Sequence, residues 1–119
     1  MEHIFVRKGW GSETWIINND KYCGKILRVT AGHRGSMHFH KLKHETFYID
    51  EGHLVLELID PTTGEMYTRN LKSGDSYELP PLTMHRFIAT TDVKIIEFST
   101  SHFDEDTYRC SPGDSQIKQ

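Results

Sequence analysis

A chain of 119 residues, 36 % of them hydrophobic and carrying a net charge of −3, is sized for one domain with a modest core. Mild acidity without a basic run excludes binding driven by the charge of nucleic acids or anionic membranes. No apolar stretch approaches the length of a spanning helix and residues 1–11 lack a signal-peptide core, so the expectation is a soluble, cytoplasmic protein with no membrane or nucleic-acid partner.

Along the chain the signals are those of short strands. IFVRK, within residues 1–8, reads as an edge strand, and Trp10-Gly11 punctuates it. Residues 13–17 (ETWII) are β-prone, and Asn18-Asn19-Asp20 is a turn. Residues 25–30 (KILRVT) alternate with period two, and residues 31–35 turn the chain. Strands follow at 36–40, 45–49 and 53–59, separated by a polar connection at 41–44 and by Asp50-Glu51-Gly52. The loop 60–64 (DPTTG) leads to a returning strand at 65–71. The strand 76–79 must stop at Pro80-Pro81. Strands at 85–89 and 93–98 close the series. The acidic stretch 99–109 has room for one helical turn, and 111–119 reads as a flexible polar tail behind a single domain of residues 1–110. Nothing in the middle has helical period. Many short strands at regular spacing predict an all-β barrel or sandwich.

Eight histidines is a high count for this length, and several cluster between His33 and His53. On a strand, His38 and His40 share one face while Met37 and Phe39 share the other. Their Cα atoms are then roughly 6.6–7 Å apart, close enough for both rings to reach one ion. Glu45 follows after a short turn and adds a carboxylate. A fourth ligand from a distant strand would complete a set that leaves positions open, as catalytic sites do. An isolated His-x-His describes a solvated strand face equally well. His33, His44, His53 and His102 read as outside the ligand set. Cys23 and Cys110 have no metal-binding spacing and read as ordinary thiols.

The fuller pattern is Gly32, five residues, His38-x-His40, four residues, Glu45, six residues, Gly52. It resembles the first motif of the cupin superfamily, and Gly74, Pro80 and His85 resemble the second. The resemblance implies an antiparallel jelly-roll β-barrel. It also implies one divalent transition metal ion (zinc, manganese, iron or nickel) on His38, His40, Glu45 and His85, and a homodimer paired through exposed edge strands. Two positions depart from the pattern: Leu82 stands where the family often has glycine, and Ala89 where it often has asparagine.

Trp10-Gly11, Lys25, the histidine–glutamate block, Ile96-Glu97 and the stretch Glu105-Asp106-Thr107-Tyr108-Arg109 resemble the cupin domain of type II phosphomannose isomerases. Ser36-Met37, where that family has glutamine, and the paired histidines depart from it. The resemblance implies a small-molecule, carbohydrate ligand and isomerase or epimerase chemistry through a metal-stabilised enediolate. An iron-dependent dioxygenase and a non-catalytic sugar or small-molecule binder are the alternatives. Lys25 shares its parity with Leu27 and Val29; it either enters the barrel as a catalytic group or sits solvated on the wall. Glu97 shares its parity with Val93 and Ile95; it is either a general base or a surface partner for a lysine. Arg109 either closes over the mouth on an anionic group or is a tail charge. Tyr48 reads as a core aromatic, and is the aromatic best placed to lend the pocket a hydroxyl.

Overall fold

The computed structural model describes residues 2–117. Its strands are β1 (Ile4–Lys8), β2 (Gly11–Asn18), β3 (Cys23–Val29), β4 (Met37–His40), β5 (Glu45–Glu51), β6 (His53–Ile59), β7 (Met66–Lys72), β8 (Ser76–Leu79), β9 (Met84–Ala89), β10 (Val93–Ser99) and β11 (Thr107–Ser111). One 3-10 turn, Asp104–Asp106, interrupts them inside the acidic stretch. Every pairing is antiparallel. Six strands form one sheet in the order β1-β2-β3-β10-β5-β8, and five form the other in the order β11-β4-β9-β6-β7. This is the jelly-roll barrel that the motif resemblance implies, and it resolves the choice between barrel and sandwich that strand spacing left open. No helix among the described residues is long and apolar enough to cross a membrane.

The inward face of the six-stranded sheet changes chemistry along the barrel axis. On β3 the buried positions are Cys23, Lys25, Leu27 and Val29; on β10 they are Val93, Ile95 and Glu97; on β5 they are Glu45, Phe47 and Ile49. The register sets Ile95 beside Leu27 and Ile49, then Glu97 beside Lys25 and Phe47, then Ser99 beside Cys23 and Glu45. One end of the barrel is therefore dry. Its apolar cluster includes Leu54 and Leu56 of β6, both nearly inaccessible to solvent, across from Ala89 and Phe87. Each such side chain contributes about 1.5–3 kcal/mol on burial. The other end is lined with ionisable groups. Alternation makes this possible, because a strand can keep its inward parity while the residue type changes.

The tight turns carry left-handed backbone where the sequence placed glycine. Gly52 has φ +91°, and a Cβ there would collide with the Asp92 carbonyl oxygen. Leu82, where the family often has glycine, adopts φ +69° in the turn that delivers β9. A leucine in this region is strained by roughly 1–2 kcal/mol. The turn is tied down by the Leu82 amide, which donates to the His40 carbonyl at 2.7 Å.

The domain edge expected after Cys110 falls inside β11, which pairs with β4 so that Tyr108 faces Phe39 and Arg109 faces His38. Much of the segment read as a polar tail is docked. The Asp114 carboxylate lies 2.9 Å from His33 Nδ1 and accepts the Arg34 amide, and Ser115 Oγ accepts the Gly9 amide. Polarity at residues 111–117 reflects hydrogen bonding to the barrel. Residues 118 and 119 of that segment lie outside the described residues.

Candidate metal centre

β4 supplies His38 and His40, and β9 supplies His85 directly across from His38 in the ladder. The His38 ring centroid lies 4.9 Å from that of His40 and 4.5 Å from that of His85. One nitrogen from each of the three rings falls within 4.8 Å of the others. Glu45 opens β5 in the opposite sheet and reaches across. Its Oε2 is 3.3 Å from His40 Nε2 and 3.6 Å from His85 Nε2. The centre therefore joins the two sheets at the ionisable end of the barrel.

Each ring is oriented from behind. Nδ1 of His38 lies 2.9 Å from the Ser36 carbonyl, Nδ1 of His40 lies 3.0 Å from the Asp106 carbonyl, and Nδ1 of His85 lies 2.9 Å from the Thr83 carbonyl. A carbonyl only accepts, so Nδ1 carries the proton in all three rings. Each Nε2 is left with a free lone pair, the arrangement that suits metal-binding imidazoles.

Two buried atoms find no hydrogen-bond partner among the described residues, Glu45 Oε2 and His85 Nε2. An orphaned buried acceptor costs about 1–3 kcal/mol. Here lone pairs on nitrogen also face a carboxylate oxygen, which is repulsive unless a cation or proton lies between them. Protonation of His38 and His85 is opposed by their surroundings. Burial, followed by the charges of His85 and His40, holds His38 well below its ordinary value, and burial lowers His85. Burial works to raise the Glu45 carboxyl, but its contact with His40 and the positive charge that His85 and Lys43 can carry outweigh it. Glu45 is held well below the usual carboxylate range. Three imidazoles held from behind at Nδ1, with Nε2 turned toward one carboxylate, fit a divalent transition ion.

These directions fix the sign of a pH effect. The unfolded histidines titrate near about 6.5, whereas folded His38 and His85 titrate lower, so the unfolded chain binds more protons across that window. Stability is therefore lost as pH falls below about 6.5, and Glu45 adds a loss of the same sign below about 4.5. The unfolding midpoint of chelator-treated protein should fall between pH 7 and pH 5, read by circular dichroism. A midpoint that rises with acid would contradict the lowered titration of His38 and His85.

Above the imidazoles the barrel opens into a cavity of about 350 Å³, lined by His38, His40 and Glu45 together with Lys25, Lys43, Glu97 and Arg109. Lys25, 2 % exposed, points inward; its Nζ is 3.4 Å from Glu13 Oε1 and 4.3 Å from the Trp15 ring centroid. Glu97 is also inside, and its Oε2 is 2.6 Å from Lys43 Nζ. The same ammonium is 4.0 Å from Glu45 Oε1 and 3.1 Å from His102 Nδ1, which must accept from it. His102 Nε2 then donates to Asp104 at 2.8 Å. Burial works to lower the Lys43 ammonium, but Glu97 and then Glu45 raise it further, so Lys43 is protonated at neutral pH. Arg109 lines the cavity from the exposed face of β11, beside His38.

Tyr48 is placed elsewhere. Glu45 and Phe47 point inward on β5, so Tyr48 takes the outer parity and does not line this cavity. Three residues without an expected role enter the site. Lys43 lay in a segment read as a polar connection, yet its spacing of two from Glu45 continues the inward parity of β5. Glu13 shares a strand with Trp15 at the same spacing. His102 is not a ligand, and it lines the cavity from beyond the last strand of the six-stranded sheet.

A jelly-roll barrel with histidines and a carboxylate gathered at its open end has the architecture of a cupin. The Cupin domain family matches residues 25–103, well over half of the chain, and the chain belongs to that family. Among solved structures it is similar to the capsular polysaccharide assembling protein CapF from Staphylococcus aureus, with 20 % identity and a TM-score of 0.81 over 93 % of this chain and 32 % of that one. It is similar to KdgF from Halomonas sp., with 22 % identity and a TM-score of 0.72 over 87 % of this chain and 90 % of that one. Oxalate decarboxylase from Bacillus subtilis, a protein with Mn(II) centres, has 16 % identity and a TM-score of 0.78 over 92 % of this chain and 30 % of that one. These likenesses are likenesses of fold. The chain spans about a third of the length of CapF and of oxalate decarboxylase. No curated protein sequence matches it.

Proposed function

We propose that the chain is a cytoplasmic, metal-dependent enzyme that isomerises or epimerises a small sugar or sugar phosphate. His38, His40, Glu45 and His85 hold one divalent ion, of zinc, manganese, iron or nickel. The observation that carries this reading is the pairing of Glu97 with Lys43 inside the same cavity as the imidazoles. A proton shift between adjacent carbons needs a base within reach of both, and a buried carboxylate beside the centre is such a base. The bound ion would supply Lewis acidity toward neighbouring oxygens. Lys25 would donate to a substrate oxygen, and Arg109 at the mouth would pair with a phosphate or carboxylate. A cavity of about 350 Å³ suits a monosaccharide-sized ligand. The likeness to a protein of capsular polysaccharide assembly supports a carbohydrate setting.

The test is a screen of metal-reconstituted protein in deuterium oxide against sugars and sugar phosphates, read first by thermal shift and then by deuterium incorporation at the carbons next to the carbonyl. Glu97→Gln should lower turnover by roughly 10²–10⁴-fold at a temperature where the variant is folded, with its metal retained. No exchange with any sugar, or unchanged turnover in Glu97→Gln, would reject the reading. Oxygen consumption by the iron form would favour a dioxygenase instead, and tight sugar binding without turnover would favour a binding module. The reading includes a homodimer. β1 is an edge of the six-stranded sheet and leaves Ile4 and Phe5 47 % and 62 % exposed, a face that a second copy would cover. Light scattering at micromolar concentration would reject this part by returning the mass of one chain.

A further inference from the structure

Asp106 is the most enclosed carboxylate that the chemistry above leaves without a task. It ends the 3-10 turn at 4 % exposure. Burying a carboxylate costs several kcal/mol unless charge or hydrogen bonds compensate. No lysine, arginine or histidine forms an ion pair with it among the described residues. Its partners are three consecutive backbone amides. Oδ1 accepts from Lys41 at 2.9 Å and from Leu42 at 3.1 Å; Oδ2 accepts from Leu42 at 3.2 Å and from Lys43 at 3.0 Å. Those amides belong to three of the four residues linking β4, which carries His38 and His40, to β5, which begins with Glu45; the fourth, that of His44, donates to Thr100. The backbone carbonyl of the same residue accepts the Nδ1 proton of His40 at 3.0 Å. The next residue, Thr107, then pairs with His40 as β11 begins.

A loop cap alone would need only the carboxylate, and a ring-orienting carbonyl could come from any residue. Here one residue does both, on the two sides of the His40–Glu45 connection. We infer that Asp106 is the positioning residue of the metal centre. Its carboxylate fixes the span between His40 and Glu45 and sets the start of Lys43 toward Glu97. Its carbonyl fixes the His40 tautomer, leaving Nε2 free for the ion. Side-chain loss therefore reaches the ion through geometry, without removing any ligand. The inference rests on the metal-centre reading given above.

The test titrates zinc and manganese(II) separately into metal-free wild type, Asp106→Asn, Asp106→Ala and a control, Asp92→Ala. The Asp92 carboxylate also caps one amide, that of Ala31, and the β10 register puts it at the dry end of the barrel. The carbonyl that holds His40 survives both substitutions, so the loss comes through displacement of the link; about a 10-fold weakening, the low end of what losing an outer partner costs, is expected for both Asp106 variants. Asp92→Ala should bind as wild type does even where its unfolding midpoint falls as far. In the wild type, long-range proton–nitrogen spectra of the imidazoles should show His40 protonated at Nδ1 with slow solvent exchange, and Asp106→Asn should speed that exchange. Wild-type affinity in a folded Asp106 variant overturns the inference. So does an Nε2-protonated His40 in the metal-free wild type, a measurement that needs no variant to fold. If the wild type itself takes up neither metal, the metal-centre reading fails instead, and the two outcomes are distinct.

Discussion

Replacing His38 with alanine is expected to weaken zinc or manganese(II) binding by more than about 100-fold, beyond the loss typical of an outer partner. The fold should survive. His38 is only half-buried, and the aromatic rings packed against it are the other two histidines. Its Nδ1 bonds to Ser36, two residues away on the same segment, so nothing distant depends on it. His85 is a poorer probe of the same claim. It is 1 % exposed and packs within 6.2 Å of the Phe47 ring, so its removal mixes lost coordination with an internal void. The readouts are metal content after dialysis, affinity by chelator competition, and the rise in unfolding midpoint on adding metal. A ligand at 100 times its dissociation constant stabilises by about 2.7 kcal/mol, so a 100-fold loss should erase most of that rise. Retention of metal by a folded His38→Ala protein would remove the basis for the centre.

The ligand geometry was legible because a strand reports its own faces. Period two alone puts His38 and His40 together, and a glycine at each end of the block marks turns that the backbone needs. The same rule put Lys25 with Leu27 and Glu97 with Ile95, and both lie inside. It left open whether that side was wet or dry, since the change from apolar to ionisable lining occurs along the barrel axis and follows from register between β3, β5 and β10. Register is a long-range property. Lys43 could have been found by extending β5 two residues backward, but the turn-like composition of residues 41–44 argued for a surface link. Asp106 gave no local signal, because its partners are backbone amides more than sixty residues earlier. The polar run at 111–117 could not be told from a frayed tail, since its hydrogen bonds go to the turn at residues 33–34 and to Gly9. Tyr48 failed on parity that was available: residue 45 points inward, so residue 48 does not.

Breaking the Lys43–Glu97 pair should produce the largest change in stability of any single polar substitution in the cavity. Both side chains are 3 % exposed, and Lys43 Nζ sits 2.6 Å from Glu97 and 4.0 Å from Glu45. Lys43→Met leaves two buried carboxylates without their shared cation. Removal of one partner from such a pair costs about 3–5 kcal/mol. In a domain of this size that is a fall of roughly 10–20 °C in the unfolding midpoint. The double variant Lys43→Met/Glu97→Gln should recover much of the loss, because replacing both ends of a buried pair is often close to neutral. The partly exposed pair Lys94–Asp50, at 3.3 Å, is the control and should change stability by less than about 1 kcal/mol. Metal adds a second discrimination. With an ion on the imidazoles, Glu45 has another positive neighbour, so Lys43→Met should cost less in loaded protein than in metal-free protein. A Lys43→Met variant within about 1 kcal/mol of wild type in both states would mean that water already screens this end of the barrel, and that Glu97 lacks the low-dielectric setting that its role as a base requires.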